Sequence, residues 1–308
     1  MVQANRMTDK KEKIIIIGGP TCIGKSDYAV EVALRCNGEI IGADSVQVYK
    51  YLNIGSGKIT TEEMKGVTHY LIDVKDPTEP FTVVDFMNEV KPIISDVISR
   101  GKIPIIVGGT GFYINALLHG YNCGHAGPND KIREKLRSAE HVYGEGYLYD
   151  MLKKIEPDTL VRQNDLPRIT RRLELYFSPY ADEEEIIPQS SDVYDALLVV
   201  MDADREKLDL KAEKRISMMM DMGFLDEVKS LEKYAECRCM ASVGYAEALL
   251  GLSCGMTRAE ITEHMKQSYH ALIKKQQTFF RWLRWDNRVN VYNWDYTNSN
   301  KEITEFLK

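Results

Sequence analysis

The most constraining stretch of the chain is Gly19-Pro20-Thr21-Cys22-Ile23-Gly24-Lys25-Ser26, which follows directly on Ile14-Ile15-Ile16-Ile17-Gly18. A short β-branched run that is apolar at every position suits a strand buried on both faces of a parallel sheet. Ser26 to Arg35 then carries helical spacing. Strand, glycine loop and helix are the setting in which G-x-x-x-x-G-K-[ST] wraps phosphate. Gly24 lets backbone N–H groups turn inward, and the helix N-terminus adds partial positive charge. Lys25 supplies a mobile point charge, and Ser26 offers its hydroxyl to Mg²⁺. The motif specifies a polyphosphate ligand and leaves open which one.

The alternation continues. Glu39–Ala43, His69–Asp73 and Ile103–Val107 read as further strands, and Val83, Phe86, Val90, Ile94, Val97 and Ile98 mark one face of a helix over 82–100. This rhythm predicts an α/β fold, a P-loop NTPase-like parallel sheet with right-handed crossovers. From about Gly124 to Tyr180 the period is helical, with no convincing strand. Ala196–Met201 reads as a returning core strand, Arg205–Tyr234 and Glu260–Leu283 as helices, and Asn287–Lys308 as ambiguous. The expected organisation is a catalytic core over 1–123 and 191–308, interrupted by a helical insertion over 124–190.

The 308 residues are 44% hydrophobic and 28% charged, an ordinary globular mix, with a net charge of −6. A nucleic-acid binder with this balance needs local basic patches. Met1 to Lys13 lacks the apolar core of a signal peptide, and no apolar run approaches about 18 residues. A cytoplasmic protein without a membrane span is expected, and nothing points to an obligate oligomer, so a monomer is too. None of the six cysteines forms a C-x-x-C pair or joins histidines at zinc spacing. Free thiols are the expectation, Cys237 and Cys239 included.

Two further turns stand at the same predicted sheet edge, where open α/β sheets bind ligands. Asp44-Ser45-Val46-Gln47 closes a strand expected beside the P-loop strand, and Gly108-Gly109-Thr110-Gly111 closes another. Asp44 can accept a proton from an attacking amine or hydroxyl, or merely cap a turn. These residues alone leave a P-loop small-molecule kinase and a group transferase both open.

Longer motifs narrow the choice. Asp44-Ser45-x-Gln47-Val48-Tyr49, His69-Tyr70-Leu71-Ile72-Asp73 and Pro104 through Tyr113 are followed by Asn164-Asp165-x-x-Arg168-x-x-Arg171-Arg172. Then come Arg215, Gly223-Phe224-x-x-Glu227-Val228, Val243-Gly244-Tyr245 and Lys274-Lys275-Gln276-x-Thr278-Phe279-Phe280-Arg281. In this order they resemble the tRNA dimethylallyltransferases (isopentenyltransferases) over nearly the whole chain. The resemblance implies transfer of a dimethylallyl group from dimethylallyl diphosphate to N6 of adenosine-37 beside the anticodon, with Mg²⁺ as cofactor. It implies that Gly19–Ser26 holds the pyrophosphate, that Lys25 and Arg215 support it, and that Asp44 is the general base. Thr110 would contact the target nucleotide, together with Asp44, Ser45, Val46 and Gln47. Pro167, Arg168, Ile169, Thr170 and Arg171 would contact the tRNA, with the insertion gripping its anticodon stem-loop. The chain departs from the family pattern at Ser56-Gly57-Lys58-Ile59, usually Thr-Ala-Lys-Pro; at Arg162-Gln163, usually His-Pro; and at Lys211, usually arginine.

Basic residues are clustered locally. Lys266, Lys274, Lys275, Arg281, Arg284 and Arg288 face one acid, Asp286, with Phe279, Phe280, Trp282 and Trp285 interleaved. This could be a phosphate and base-stacking surface, or core aromatics beside solvated lysines. Around Arg168, Leu166, Ile169, Leu173 and Tyr176 predict an apolar stripe, flanked by Arg168 and Arg172, with Arg171 turned further toward solvent. Met218–Met220 and Met222 read as core filler. An isopentenyltransferase acting on free AMP, a kinase, or a tRNA-binding protein without catalysis are the rival readings. The insertion with Arg168 and Arg171 favours tRNA over a free nucleotide.

Overall fold

The computed structural model describes residues 11–120, 129–178, 194–283, 290–293 and 299–308. Met1–Lys10, Cys123, Tyr180, Arg284, Trp285, Asp286 and Arg288 therefore lie outside the described residues. The chain divides into two compact units, Met1–Gly120 with Gln189–Lys308, and Tyr121–Pro188. The divisions stand at 120/121 and 188/189, against the expected 123/124 and 190/191.

The first unit begins with β1 (Glu12–Gly18), α1 (Lys25–Cys36), β2 (Gly38–Gly42), α2 (Thr61–Met64), β3 (His69–Tyr70), α3 (Val83–Ser99), β4 (Ile103–Gly108) and α4 (Gly111–Leu118). The second unit holds α5 (Asp130–Tyr143), α6 (Tyr147–Ile155) and α7 (Leu166–Tyr176). The first unit resumes with β5 (Tyr194–Val200), α8 (Arg205–Asp221), α9 (Phe224–Ser230), α10 (Tyr245–Ser253), α11 (Arg258–Leu283), β6 (Asn290–Asn293) and α12 (Ser299–Leu307). Among the described residues, no helix is long and apolar enough to cross a membrane.

Among the described residues, six strands form one sheet in the order β3-β2-β4-β1-β5-β6, and every neighbouring pair is parallel. Ile14 to Ile17 are fully buried, as a central strand covered on both faces requires. Each such burial contributes roughly 1.5–3 kcal/mol relative to exposure. α3 begins as its sequence dictates, with a reciprocal capping box between Thr82 and Asp85.

Several expectations are corrected. β4 lies between β1 and β2, so the strand that Asp44 follows is not beside the P-loop strand. The predicted strand His69–Asp73 is only two residues long, because Leu71 (φ 61°) and Asp73 (φ 56°) turn into the left-handed region. The helical stretch 205–234 breaks at Gly223, where φ is 92°. The ambiguous tail contributes a sixth strand and a helix; a four-residue edge strand is too short to show a period.

The second unit corrects the reading of α7. Its core is Leu136, Leu148, Leu152, Ile169 and Leu173. Leu166 and Tyr176, placed on the same stripe, are exposed. Ile169 is a core residue, so its side chain is withdrawn from the predicted tRNA contact. Arg171 is not the most solvent-directed arginine: its Nη1 bonds Glu174 Oε2 at 2.8 Å, while Arg168 is 77% exposed. Glu174 is a buried carboxylate held by Arg133, Arg171 and the Asn129 N–H. Burial pushes its carboxyl up, but these hydrogen bonds outweigh it and leave the group below the ordinary carboxylate range. The helical wheel hides this, because a charged residue at a core position reads as solvent-facing.

Glu174 is therefore expected to hold the second unit together. Glu174→Ala should cost about 3 kcal/mol in urea unfolding, by stranding two half-buried guanidinium groups. A depressed carboxyl stabilises fully above its unfolded value and less as pH falls through its folded one. Wild-type hydrogen-exchange protection in α5 and α7, taken relative to free peptide at the same pH, should consequently fall below about pH 4, and the variant should lack that acid-sensitive component.

Candidate active site

The loops after β1, β2 and β4 leave the sheet at one edge, because Gly18 pairs with Gly108 and Gly42 with Val107 in parallel register. They open on a cleft of about 960 Å³ in the first unit. Of the predicted residues, Thr21, Cys22, Gly24, Lys25, Ser26, Asp44, Ser45, Val46, Gln47, Thr110 and Arg215 line it. Gly19, Pro20 and Ile23 do not, and Ile23 is packed into the core at 4% exposure. Pro167–Arg171 belong to the other unit.

Lys25 sits at the start of α1 and donates from Nζ to the Pro20 carbonyl at 2.8 Å. Burial pushes its ammonium down to about 8; the charge of Asp44 works against that shift and that of Arg215 with it. Asp44 Oδ1 accepts the N–H groups of Val46 (2.8 Å) and Gln47 (3.2 Å). Its Oδ2 takes no hydrogen bond among the described residues. Asp44 thus caps its turn with one oxygen and leaves the other without a hydrogen bond among the described residues, on the cleft wall. Thr110 Oγ1 accepts the Ser45 N–H at 3.1 Å, tying the turn after β4 to the turn after β2. Gln47 turns its amide nitrogen to the carbonyls of Ser56 (3.2 Å) and Gly57 (3.3 Å).

Arg215 reaches the cleft from α8, and its Nη2 donates to the Ser56 carbonyl at 3.0 Å. At Gly57, where φ is 56°, an added Cβ would lie 1.6 Å from that Nη2. The departure from the family's alanine at Gly57 therefore goes with the present seat of the guanidinium. Lys211, the other departure on α8, also lines the cleft. Lys58 is a structural pin, 6% exposed, donating to the Tyr49 carbonyl (2.7 Å), to Asn53 Oδ1 (3.0 Å) and to Asp73.

Two residues to which the sequence motifs assign no role hold the loops of the cleft in place. Glu227 accepts the N–H groups of Asn53 (3.1 Å) and Ile54 (2.8 Å) on Oε2, and of Gly55 (3.2 Å) on Oε1. Tyr245 also donates to Oε1, at 2.7 Å. This carboxylate fixes the loop on which Arg215 rests. Gln276, from α11, accepts the Thr21 N–H and donates to the Gly109 carbonyl. Only the pairing of a carboxylate or amide with unpaired loop amides signals such roles, and it shows in space, not in sequence.

The basic and aromatic stretch is reassigned in part. Phe280 is buried against Gly18, and Phe279 packs against Gly111. Trp282 is 55% exposed, the one exposed aromatic of that stretch among the described residues. Met219 and Met220 are core, whereas Met218 and Met222 are exposed and Met218 lines the cleft. Among the described residues, no group of His, Cys, Asp or Glu is placed to hold a metal ion, Cys237 and Cys239 included.

The lowered Lys25 value carries a sign. Below about 8 the ammonium is charged and attracts a diphosphate; above it the free lysine loses that charge. Calorimetric affinity for inorganic pyrophosphate should fall as pH rises from 7 through about 9, and Lys25→Met should be weaker throughout and flat over this range.

The model of the IPP transferase family (IPPT) matches residues 47–282. The tRNA dimethylallyltransferase of Halalkalibacterium halodurans is 36% identical over 298 residues, 94% of this chain and 92% of that protein. The solved full-length tRNA isopentenylpyrophosphate transferase of Bacillus halodurans superposes with a TM-score of 0.70 at 34% identity, covering 96% of each chain. A eukaryotic dimethylallyltransferase solved while acting on tRNA gives a TM-score of 0.76 at 26% identity, over 96% of this chain and 79% of that one. With the family pattern running through both units and its cleft residues assembled around one sheet edge, the chain belongs to the IPP transferase family.

Proposed function

We propose that this protein transfers a dimethylallyl group from dimethylallyl diphosphate to N6 of adenosine-37 in tRNA, releasing diphosphate, and works as a cytoplasmic monomer. The observation that carries the reading is the meeting of a phosphate-type cation, Lys25, with a carboxylate, Asp44, in one cleft. A leaving diphosphate and an attacking amine need those two groups together. The adenosine N6 attacks the allylic carbon as the bond from that carbon to the diphosphate oxygen breaks. Asp44 Oδ2 takes the proton that the amine sheds. Lys25, Arg215 and the loop amides before α1 meet the negative charge that grows on the leaving group. The acceptor adenosine has to leave its base stack to enter, which is easiest from a single-stranded loop.

Mg²⁺ fits this arrangement. Ser26 stands exposed at the start of α1 on the cleft wall, a hard oxygen donor without a carboxylate cage around it. Its remaining ligands would be diphosphate oxygens and water, the coordination Mg²⁺ prefers. When bound, the ion neutralises charge on the leaving diphosphate.

Labelled dimethylallyl diphosphate offered with tRNA or with AMP tests the proposal: label is expected in tRNA, and label in AMP alone would overturn it. Asp44→Asn should fold and bind both substrates, because an amide oxygen can still cap Val46 and Gln47, yet lose roughly 100-fold or more in single-turnover rate. Near wild-type rates would make Asp44 a turn cap only. Arg168→Ala, the most exposed of the α7 arginines, should weaken tRNA binding, flatten its salt dependence by about one unit of slope and leave donor affinity unchanged.

A further inference from the structure

Gln276 stands between the two loops that, on the transferase reading, hold opposite reactants. Its Oε1 accepts the Thr21 N–H of the P-loop at 2.9 Å, and its Nε2 donates to the Gly109 carbonyl of the turn carrying Thr110 at 3.1 Å. The partners fix the orientation of the amide, since an N–H needs an oxygen and a carbonyl needs a donor. The fit is close: a Cβ on Gly109 would lie 2.7 Å from Gln276 Nε2. The amide is also carried on a rigid support. One turn and two turns away on α11, Phe280 is buried against Gly18, and Tyr269 donates to the Gly55 carbonyl at 3.3 Å. Next to it, Gln277 donates to Asp202 Oδ1 at 2.7 Å and to the Ala203 carbonyl at 3.0 Å.

From this geometry we infer that Gln276 is a positioning residue: its side-chain amide sets the spacing between the donor loop after β1 and the acceptor turn after β4, and so the approach of the attacking nitrogen to the allylic carbon. This deepens the transferase reading and rests on it. Bond formation between two held reactants depends steeply on their separation, while the affinity for each one separately does not. Losing the amide should lower turnover without releasing either substrate. No other side chain bridges the same two loops among the described residues.

The test uses the full chain with two variants. Gln276→Met keeps the length and removes both hydrogen bonds. It is expected to lower kcat roughly 100-fold and to leave the KM for dimethylallyl diphosphate and for tRNA within about threefold of wild type. Gln276→Glu keeps the acceptor for Thr21 but loses the donor to Gly109 while the new carboxyl is ionised. Its rate relative to wild type should recover as pH falls toward about 5, because a protonated carboxyl donates and accepts as the amide does. Hydrogen exchange without substrates reads the latch directly: the Thr21 amide and the segment after Gly109 should exchange faster in Gln276→Met, with β1 and β4 unchanged. Unaltered kcat in Gln276→Met, or a loss shared equally by KM with no recovery of Gln276→Glu at low pH, would overturn the inference. A wild-type protein that makes no prenylated tRNA would overturn the transferase reading instead, and the exchange measurement would then still decide the latch.

Discussion

Where β4 leaves the sheet, no side chain fits. A Cβ on Gly108 would lie 1.9 Å from the Ala43 carbonyl oxygen. In its absence two backbones meet: the Ala43 N–H donates to the Val107 carbonyl at 2.7 Å, and the Thr110 N–H donates to the Ala43 carbonyl at 3.3 Å. The cleft depends on this contact. β2 is separated from β1 by β4, so Asp44 reaches the P-loop's neighbourhood only because the ends of β2 and β4 close on each other. The same approach lets Thr110 bond Ser45 directly.

Charge in the cleft is placed economically. The chain carries a net −6, yet Lys25, Lys211, Lys214 and Arg215 all line this one cavity, against the acids Asp27, Asp44 and Glu63. Burial makes Lys25 costly to keep charged, and Asp44 offsets part of that cost. Three acids outside the cleft lining serve the architecture. Glu39 is 2% exposed, bonded to Arg100, Lys102 and Tyr70, and these hydrogen bonds hold its carboxyl down to about 2 against the opposing effect of burial. Glu227 seats a loop and Glu174 ties together a helical unit.

What could be read from the sequence was what is local. The P-loop, the helix over 82–100, the apolar β1 and the run of α11 follow from adjacent residues, and their limits fall within a few positions of the expected ones. The ordering of β2 and β4 did not follow, because both read as equally apolar neighbours. Gln276 and Glu227 lie 255 and 173 residues from the amides they receive, Thr21 and Ile54, beyond any local pattern. α7 misled for the opposite reason. Of its expected stripe only Ile169 and Leu173 are buried, and Glu174 occupies a core position that only the arginines around it make tolerable.

The central place of β1 has a consequence for the growing polypeptide. β1 pairs on one side with β4, which ends at Gly108, and on the other with β5, which begins at Tyr194. The 85 intervening residues (109 to 193) must be made before that second side is filled. At about 5–20 residues per second a ribosome needs roughly 4–17 s for them. Throughout that interval the edge of a four-isoleucine strand offers unpaired N–H and C=O groups to any other chain. The second unit, made in just this interval, builds its core from its own helices. The nascent protein is thus most exposed to mispairing after its phosphate loop is complete and before its sheet is.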